Sequence, residues 1–544
     1  MAEMTGGQAI ARTLQSYGVD TIFGLPGVQL DNTFDALYDL QDDIQVLNTR
    51  HEQATAYMAL GYAQSTGKVG VCLIVPGPGL LNTTAALSTA YATNTPVLAL
   101  SGQVDSNEIE KGYGSLHEIP QQLRMIQSVT KWAARADSPS EAPELLREAF
   151  RQLRTGRPRP GEFEMSPDIM GKVEDVELLD PVNEYEKPAP DEASIVEAAR
   201  LLGKARKPVI FAGSGVIDYP EQMQQLAEAL EAPVVMSPGA RGVISDRDYR
   251  AQTMLGGRVI LEDADVILAI GTRFAMPQMM GGVKPDKHTL IRVDIDEQEA
   301  DRFGKADLAI VGDAGKTIDA LLPEIEKING SRPSRKDDLE GVRERVNDIF
   351  GELQPQWDFS MVMREELPDD GKYVAEITQL GYFAQFGGFP FYEPRTFVHA
   401  GYQGTLGFGF ATALGVQVGN PDKKVISING DGGFMYTMPE LATAVRHKIP
   451  LVAVVFNDGA FGNVKRIQQE MYDGKVMASS LTNPDFVKLA ESFGAAGIRA
   501  TDAGELRAAI REGFANNHPT LIDVPVGEMP SIWQQVFPER FARR

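Results

Sequence analysis

The sequence predicts an α/β protein made of three doubly wound domains, each with a parallel sheet. Short apolar runs rich in β-branched residues alternate with stretches of helical spacing, which is typical of parallel α/β structure. The length of 544 residues favours several domains over one. At two places the composition becomes polar and proline-bearing. We therefore expect domains at residues 1–170, 193–328 and 366–544, joined by linkers at 171–192 and 329–365.

The first domain is predicted from its amino-terminal helix onward. Ile10, Leu14 and Tyr17 recur at helical spacing, and an apolar strand follows them. A later strand leads directly into a helix that begins near Glu52, and another ends in the Pro-Gly-Pro-Gly turn of residues 76–79. The expected elements are helices at 5–17, 31–38 and 80–91 and strands at 21–23, 44–47, 69–75 and 96–102.

The middle domain is predicted from four apolar strands with helices between them. The strands are expected at residues 207–212, 232–236, 264–270 and 291–296. Gly213-Ser214-Gly215 follows the first strand, Arg273 follows the third, and Asp294 and Asp296 end the fourth. A glycine turn with an acid after a later strand is the spacing of an adenine-nucleotide site, although a lone pair of glycines is weak evidence.

The third domain contains the unit that is most informative about chemistry, at residues 424–466. In order, we expect a strand at 425–428, the turn Gly430-Asp431-Gly432-Gly433, a helix at 437–446, a strand at 451–456 and the turn Asn457-Asp458-Gly459. Both turns then fall at the carboxyl ends of neighbouring parallel strands, where open α/β sheets bind ligands.

The residues of these two turns suit a diphosphate held through a metal ion. Glycines allow the backbone to approach a diphosphate closely and leave N–H groups free to point at it. Asp431 and Asp458 offer carboxylate oxygens, and Mg²⁺ binds a few protein oxygens together with substrate phosphate oxygens.

The composition excludes several other classes of function. A formal net charge of −23 argues against partners that are nucleic acids or anionic membrane surfaces. The longest apolar runs have the length of strands, so no membrane span is expected. A single cysteine, Cys72, rules out a disulfide framework, and no signal peptide is visible. We therefore expect a cytoplasmic protein.

These motifs together resemble those of thiamine diphosphate enzymes, and in particular the acetolactate synthase family. The resemblance rests on Gly-Asp-Gly followed after 25 residues by Asp458, on Glu52 before an alanine-rich helix, on the turn at 76–79 and on the order of three domains. It implies thiamine diphosphate and Mg²⁺ as cofactors. The implied metal ligands are Asp431, Asp458 and the carbonyl of Ala460, with Asn457 as a reserve ligand because the family has an asparagine where Asp458 stands.

The resemblance also assigns expected roles to single residues. Glu52 would contact the aminopyrimidine of the cofactor, Leu406 would wedge under the cofactor, and Gln379 would contact the diphosphate. His117 would be a proton shuttle near the reacting carbonyl, and Gln29 would face the substrate. By the same resemblance, the middle domain binds FAD, ADP or nothing, and the active sites lie between subunits of a homodimer or homotetramer.

The activity implied by the resemblance is decarboxylation of a 2-oxo acid such as pyruvate and ligation of the two-carbon unit to a second carbonyl. The chain departs from the biosynthetic synthases at Pro277, where they have an arginine, and at Ile467, where they have a tryptophan. Three alternatives stay open. One is a 2-hydroxyacyl-CoA lyase or oxalyl-CoA decarboxylase, with Arg540, Arg543 and Arg544 near the CoA phosphates. The others are a simple 2-oxo acid decarboxylase and a catalytically silent nucleotide-binding subunit, against which Glu52 argues.

Overall fold

The computed structural model describes residues 1–275, 282–299, 301–328, 330 and 332–537. Within these ranges the chain forms three six-stranded parallel sheets flanked by helices, together with one two-stranded antiparallel sheet. The predicted α/β fold class with three parallel-sheet domains is confirmed. In the part of the chain that is described, no helix is long and apolar enough to cross a membrane.

The first domain is built on a sheet whose strand order differs from the chain order. Its strands are β1 (Ala2–Thr5), β2 (Thr21–Gly24), β3 (Gln45–Asn48), β4 (Gly70–Ile74), β5 (Val97–Gly102), β6 (Trp132–Ala136), β7 (Gly161–Met165) and β8 (Val173–Val176). Its helices are α1 (Gly6–Ser16), α2 (Asp31–Tyr38), α3 (Glu52–Thr66), α4 (Pro78–Ala92), α5 (Gln122–Ile126), α6 (Ala142–Arg154) and α7 (Pro167–Gly171). The parallel sheet has the order β3-β2-β4-β5-β7-β6. Because β8 pairs with β1, ordered structure continues into the segment that was expected to be the first linker.

The middle domain has the doubly wound order β11-β10-β9-β12-β13-β14. Its strands are β9 (Val209–Ala212), β10 (Val234–Met236), β11 (Ala251–Gln252), β12 (Val266–Ile270), β13 (Thr289–Asp294) and β14 (Leu308–Val311). Its helices are α8 (Glu192–Lys204), α9 (Pro220–Leu230), α10 (Met254–Leu261) and α11 (Ala314–Ile328). The four predicted strands are present, and β11 and β14 extend the sheet at its two edges.

The segment 329–365 is largely helical, which corrects its description as a polar linker. It contains α12 (Lys336–Gly351) and most of α13 (Gln356–Glu366). Leu339, Val342 and Phe350 of α12 are buried and pack in one core cluster with strands of the middle domain. The buried apolar residues of this helix form a narrow stripe and are fewer than the charged residues around them. The composition of the segment therefore predicted a linker.

The third domain has the sheet order β16-β15-β17-β18-β20-β19. Its strands are β15 (Lys372–Ala375), β16 (Phe397–His399), β17 (Val425–Gly430), β18 (Val452–Asn457), β19 (Ala496–Arg499) and β20 (Thr520–Pro525). Its helices are α14 (Gln379–Phe386), α15 (Phe408–Gly419), α16 (Asp431–Thr437), α17 (Leu441–Arg446), α18 (Gly462–Met471), α19 (Phe486–Phe493), α20 (Ala503–Asn516) and α21 (Trp533–Val536).

The helix predicted at 437–446 begins earlier, at Asp431, and is interrupted by a 3-10 turn at Met438–Glu440. Glycines are poor helix formers, so the sequence pattern started only after Gly433. Packing overrides this preference. A Cβ atom on Gly432 would lie 2.6 Å from the ring of Phe461, so only glycine fits there.

The first and third domains pack against each other through α3 and α15. A Cβ atom on Gly61 would collide with the carbonyl oxygen of Thr412, and one on Gly415 would collide with the carbonyl oxygen of Met58. These small residues let the two helices approach backbone to backbone. Residues of both helices share one buried core cluster, so the two domains form a continuous core.

Candidate active site

Two carboxyl groups face each other at the carboxyl ends of β17 and β18. Asp431 is the first residue of α16 and is 1% exposed, whereas Asp458 follows β18 and is half-buried. Burial raises the pKa of Asp431. Burial and then the charge of Asp431 raise the pKa of Asp458 to about 6. A cation between them would relieve this repulsion, so their placement suits a divalent metal ion.

Asn483 joins Asp431 to the neighbouring Asn457. Its Nδ2 atom donates to Asp431 Oδ2 and, at 3.0 Å, to Asn457 Oδ1. The Asn457 amide also donates to Asp523 Oδ1 at 3.3 Å. The Asn457 side chain is therefore engaged by protein groups on both of its polar atoms, whereas Asp458 faces Asp431.

Ala460 lies in a short loop held by backbone pairing and forms an isolated antiparallel bridge with Ser480. The Asp458 Oδ1 atom accepts from the Ala460 N–H at 3.0 Å, which fixes the turn. Within the described residues, no group of three or more His, Cys, Asp or Glu side chains is placed to bind a metal ion. The donor set at this point of the fold is two carboxylates with carbonyl and amide oxygens, which is the chemistry of Mg²⁺ rather than Zn²⁺.

A third buried carboxyl group lies beneath the glycine turn. Glu376 follows β15, and its Oε2 atom accepts from the Gly409 N–H at 2.8 Å. A Cβ atom on Gly433 would lie 2.8 Å from the Glu376 carboxyl carbon. Burial raises the pKa of Glu376 to about 7, and the N–H groups at the start of α15 act in the opposite sense. Glu376 thus links the turn at Asp431 to the start of α15.

Two further predicted residues lie on the same side of the third domain. Gln379 begins α14, and its buried Oε1 atom has no hydrogen-bond partner among the described residues. Leu406 is half-buried in the turn before α15, between Gly404 and Gly407, both of which have positive φ. The residue before α16 is Gly430, which has no side chain. It therefore makes no side-chain hydrogen bond to the first N–H groups of that helix.

In the first domain, Glu52 is the first residue of α3 and is half-buried. Its Oε2 atom accepts from Asn82 Nδ2 at 3.0 Å. A Cβ atom on Gly79 would lie 3.6 Å from Glu52 Oε1, so the turn at 76–79 passes directly beside the carboxyl group. The alanines of α3 that follow Glu52, at positions 54, 56 and 59, are buried.

Gln29 and His117 are brought together beside the same turn. Gln29 Nε2 donates to the Leu116 carbonyl at 3.1 Å. The His117 carbonyl lies against Gly77, which has a φ of +56° and leaves no room for a Cβ atom. Neither Gln29 Oε1 nor His117 Nδ1, both buried, has a hydrogen-bond partner in the described part of the chain. Both are polar atoms that lack the hydrogen bond a buried polar group normally makes.

Of the predicted nucleotide residues of the middle domain, Gly213, Ser214, Gly215, Arg273 and Asp294 border a cavity of about 1090 Å³ where the three domains meet. Gly213 and Gly215 allow this loop to lie directly against Gly271. Asp294 and Asp296 are the acids of the predicted adenine-nucleotide spacing, but Arg157 of the first domain forms ion pairs with both, at 3.2 and 3.5 Å. Arg273 borders the cavity, and its guanidinium group donates a hydrogen bond to the Ala92 carbonyl of the first domain.

Two expectations concern residues outside the described ranges. Pro277 and the tail residues Arg540, Arg543 and Arg544 lie there.

Three side chains at the two sites were missed by sequence reasoning. Asn483 and Asn82 lie far in sequence from the residues they contact, and no local pattern marks them. Glu376 was detectable in principle, because it follows a buried strand end just as Asp431 does.

The residues present suit thiamine diphosphate and Mg²⁺. Two carboxylates and a glycine turn lie at the carboxyl edge of the third-domain sheet. Thr378 lies against Gly430 of that turn, and the next residue, Gln379, has an unpartnered buried Oε1 atom. Fold and site together define an α/β enzyme that holds a diphosphate-bearing coenzyme at the carboxyl ends of parallel strands.

Comparison with known proteins agrees over nearly the whole chain. Three models of the thiamine pyrophosphate (thiamine diphosphate) enzymes match: the N-terminal TPP binding domain at residues 4–125, the central domain at 195–321 and the C-terminal TPP binding domain at 376–524. The chain is 33% identical over 529 residues to a probable 2-ketoarginine decarboxylase of Pseudomonas aeruginosa, covering 96% of this chain and 94% of that protein.

Two further relatives are acetolactate synthase large subunits. The probable subunit of Methanocaldococcus jannaschii is 33% identical, with 96% of this chain and 92% of that protein covered. The subunit of Corynebacterium glutamicum is 34% identical, with 98% and 88% covered. The chain therefore belongs to the thiamine pyrophosphate enzyme family and resembles its acetolactate synthase large subunits. This confirms the family resemblance that the sequence motifs indicated.

Proposed function

We propose that the protein uses thiamine diphosphate and Mg²⁺ to decarboxylate a 2-oxo acid such as pyruvate and to ligate the remaining unit to a second carbonyl. The observation that carries this proposal is the facing pair Asp431 and Asp458 in a chain similar over its full length to acetolactate synthase large subunits. Thiamine diphosphate, when bound, supplies the centre that stabilises the carbanion left by loss of CO₂.

The third domain holds the charged end of the cofactor in this proposal. Asp431, Asp458 and the carbonyl of Ala460 bind Mg²⁺, and Asn483 orients the Asp431 carboxyl group. We assign the metal to Asp458 rather than Asn457, since both polar atoms of the Asn457 amide already have protein partners. The backbone of Gly430, Gly432 and Gly433, with the Gln379 side chain, contacts the diphosphate.

The first domain provides the acid that acts on the other end of the cofactor. Glu52 holds a proton at the pyrimidine ring nitrogen, and Asn82 orients its carboxyl group. Leu406 supports the cofactor from below. Gln29 and His117 face the substrate, a role supported by their unpartnered buried atoms Oε1 and Nδ1.

We further propose a homodimer in which each active site combines the first domain of one subunit with the third domain of the other. Exposed apolar side chains flank both sets of residues and support an interface there. Beside Gln29 and Glu52 they are Val28, Leu81 and Leu116, and after Asp431 they are Met435 and Tyr436.

A simple 2-oxo acid decarboxylase is the second candidate. It is favoured by the similarity to a probable 2-ketoarginine decarboxylase and by Ile467, which stands where the resemblance places a tryptophan. The two candidates differ in the fate of the unit that remains after loss of CO₂. A carboligase joins it to a second carbonyl compound, whereas a simple decarboxylase releases it as an aldehyde.

The experiment is to incubate the enzyme, thiamine diphosphate and Mg²⁺ with pyruvate or with 2-ketoarginine and to identify products by mass spectrometry. A ligated product from pyruvate supports the carboligase, and an aldehyde alone supports the decarboxylase. An acyl-CoA with an aldehyde forms a third arm, and Glu52→Gln protein is the matched control. Turnover only in the CoA arm would overturn both 2-oxo acid candidates.

For the middle-domain cavity we propose an adenine nucleotide, as FAD or ADP. The cavity volume and the glycine turn at 213–215 support it, whereas the pairing of Asp294 with Arg157 argues against ribose recognition by that carboxylate. Visible absorption by purified protein indicates FAD. Release of ADP on denaturation, measured by chromatography, indicates ADP, and the lack of both would overturn the proposal.

A further inference from the structure

Glu440 is a buried carboxylate of the third domain that contacts the backbone just before Glu52. It ends the 3-10 turn that follows α16 and is 1% exposed. Its Oε1 atom accepts from the N–H groups of Arg50 and His51, each at 3.1 Å, and its Oε2 atom accepts from the hydroxyl of Thr443. A buried carboxylate with three donors is well satisfied, so its contacts are specific ones.

The same part of the third domain also contacts the start of the segment that joins β3 to α3. Arg446 Nε donates to Asn48 Oδ1 at 2.9 Å, and His447 Nε2 lies 3.1 Å from the same oxygen. Asn48 ends β3, and His51 is the amino-terminal cap of α3. The last residue of β3 and two of the three residues between β3 and α3 are thus held by side chains of the third domain.

We propose that Glu440 is a positioning residue for Glu52. The inference rests on the role proposed above for Glu52. By binding the N–H groups of the two preceding residues, Glu440 sets where α3 begins and therefore where the Glu52 carboxyl group stands relative to Asn82 and Gly79. The Glu440 charge also lies at the amino terminus of α3, where negative charge is favourable.

The first domain makes a corresponding contact to the turn before the third-domain helix α15, and that contact is uncharged. There Thr89 of α4 and Thr405, in the turn before α15, share a hydrogen bond between hydroxyl groups at 2.9 Å. That turn leads to Leu406, which has an apolar role in the proposed site. Glu440 places its charged contact on the two residues directly before the proposed acid, whereas the contact before Leu406 is between two hydroxyl groups.

The first test needs no activity and uses hydrogen–deuterium exchange of the cofactor-free full chain. Glu440→Met keeps the size of the side chain and removes both acceptors. We expect exchange of the Arg50 and His51 amides to become at least about tenfold faster. Glu440→Gln keeps one carbonyl oxygen and should restore most of the protection. Unchanged exchange in Glu440→Met would overturn the proposal.

The second test is a double-mutant cycle with Glu52→Gln. Displacement of a catalytic group by about 1 Å costs about 100-fold, so Glu440→Met should lower kcat by about 10- to 100-fold with little change in KM. In the Glu52→Gln background the same change should cost nothing further, because Glu440 acts through Glu52. A further equal loss in that background would indicate a structural role and overturn the proposal.

The matched control is Glu505→Met. Glu505 is an exposed third-domain residue whose carboxylate also accepts a backbone N–H, that of Thr501, at the start of α20. It should leave kcat and the exchange of Arg50 and His51 unchanged. Full turnover in Glu52→Gln would overturn the role of Glu52 and this inference together. Loss of turnover there with wild-type behaviour of Glu440→Met would overturn the inference alone.

Discussion

The first and third domains use the same scaffold for different chemistry. Numbered by chain order within each sheet, the strands of both follow 2-1-3-4-6-5, whereas the middle sheet follows 3-2-1-4-5-6. The helix after the second strand is α3 in one domain and α15 in the other, and these two helices pack against each other. The first and third domains therefore face each other as structural equivalents.

The difference between them lies in the residues at the strand ends. In the third domain, Asp431 and Asp458 directly follow the third and fourth strands, so two carboxyl groups lie at one edge of the sheet. In the first domain, the third and fourth strands are followed by the uncharged turn 76–79 and by Gln103. The acid there is Glu52, the first residue of the helix that follows the second strand. One edge suits a cation with a diphosphate, and the other suits a ring that exchanges one proton.

Asp431→Ala should have the largest effect, because it removes one of the two facing carboxylates from the charged edge. We expect the protein to lose Mg²⁺-dependent retention of thiamine diphosphate, measured by calorimetric titration with and without Mg²⁺. Asp422→Ala, at an exposed position in the turn before β17, is the control and should bind normally. Wild-type retention in Asp431→Ala would place the metal elsewhere.

Glu52→Gln tests the other edge and should separate binding from turnover. The loss of a positioned acid typically costs about 10²- to 10⁴-fold in rate, so we expect kcat to fall in that range. Cofactor affinity should stay near the wild-type value, since the charged end binds to the other domain. A titration and a rate measurement on one preparation check both, and weakened binding with normal kcat would contradict the assignment.

Glu376→Gln tests a buried carboxyl group that the first domain lacks at the matching position, because its own first strand is followed by Leu25. A carboxyl group whose pKa is raised on folding, here from 4.5 to about 7, binds protons more tightly in the folded state. The free energy of unfolding therefore falls as pH rises from about 4.5 to about 7, by about 3 kcal/mol in total. Glutamine should remove this loss, so thermal melts of cofactor-free protein at pH 5 and pH 8 should differ less in the variant than in the wild type.

Gly61→Ala tests the contact between the equivalent helices. The new methyl group would collide with the Thr412 carbonyl, so we expect a destabilisation of about 1–3 kcal/mol in denaturant unfolding. Gly341→Ala, on α12 with open space around it, is the control and should stabilise by about 0.5–1 kcal/mol. Equal stability of the two variants would show that α3 and α15 are packed less closely than described.

The sequence predicted the fold class and the strand ends well, because buried parallel strands leave continuous β-branched runs and their turns leave glycines. Asp431 and Asp458 were found because each lies in a turn that follows such a run, and Glu52 was found through the resemblance of its helix to that of the family. The helicity of 329–365 was missed, since its buried stripe is narrow among many charges. The helix start at Asp431 was missed because tertiary packing decides in favour of Gly432 and Gly433.

The supporting residues were beyond sequence reasoning for a different physical reason. Asn483, Asn82 and Glu440 act through contacts to residues distant along the chain, and a lone polar residue carries no pattern of its own. The pairing of Asp294 with Arg157 is of the same kind, because it joins two domains. Such contacts follow only once the three domains are placed together.

The most direct test of a site shared between subunits is to mix Glu52→Gln protein with Asp431→Ala protein under conditions that allow subunits to exchange. Each variant alone should be nearly inactive. In a mixed dimer one site keeps both an intact Glu52 and an intact Asp431, so statistical mixing should restore about one quarter of wild-type activity. No recovery in a mixture proven by native mass spectrometry to contain mixed dimers would contradict the account.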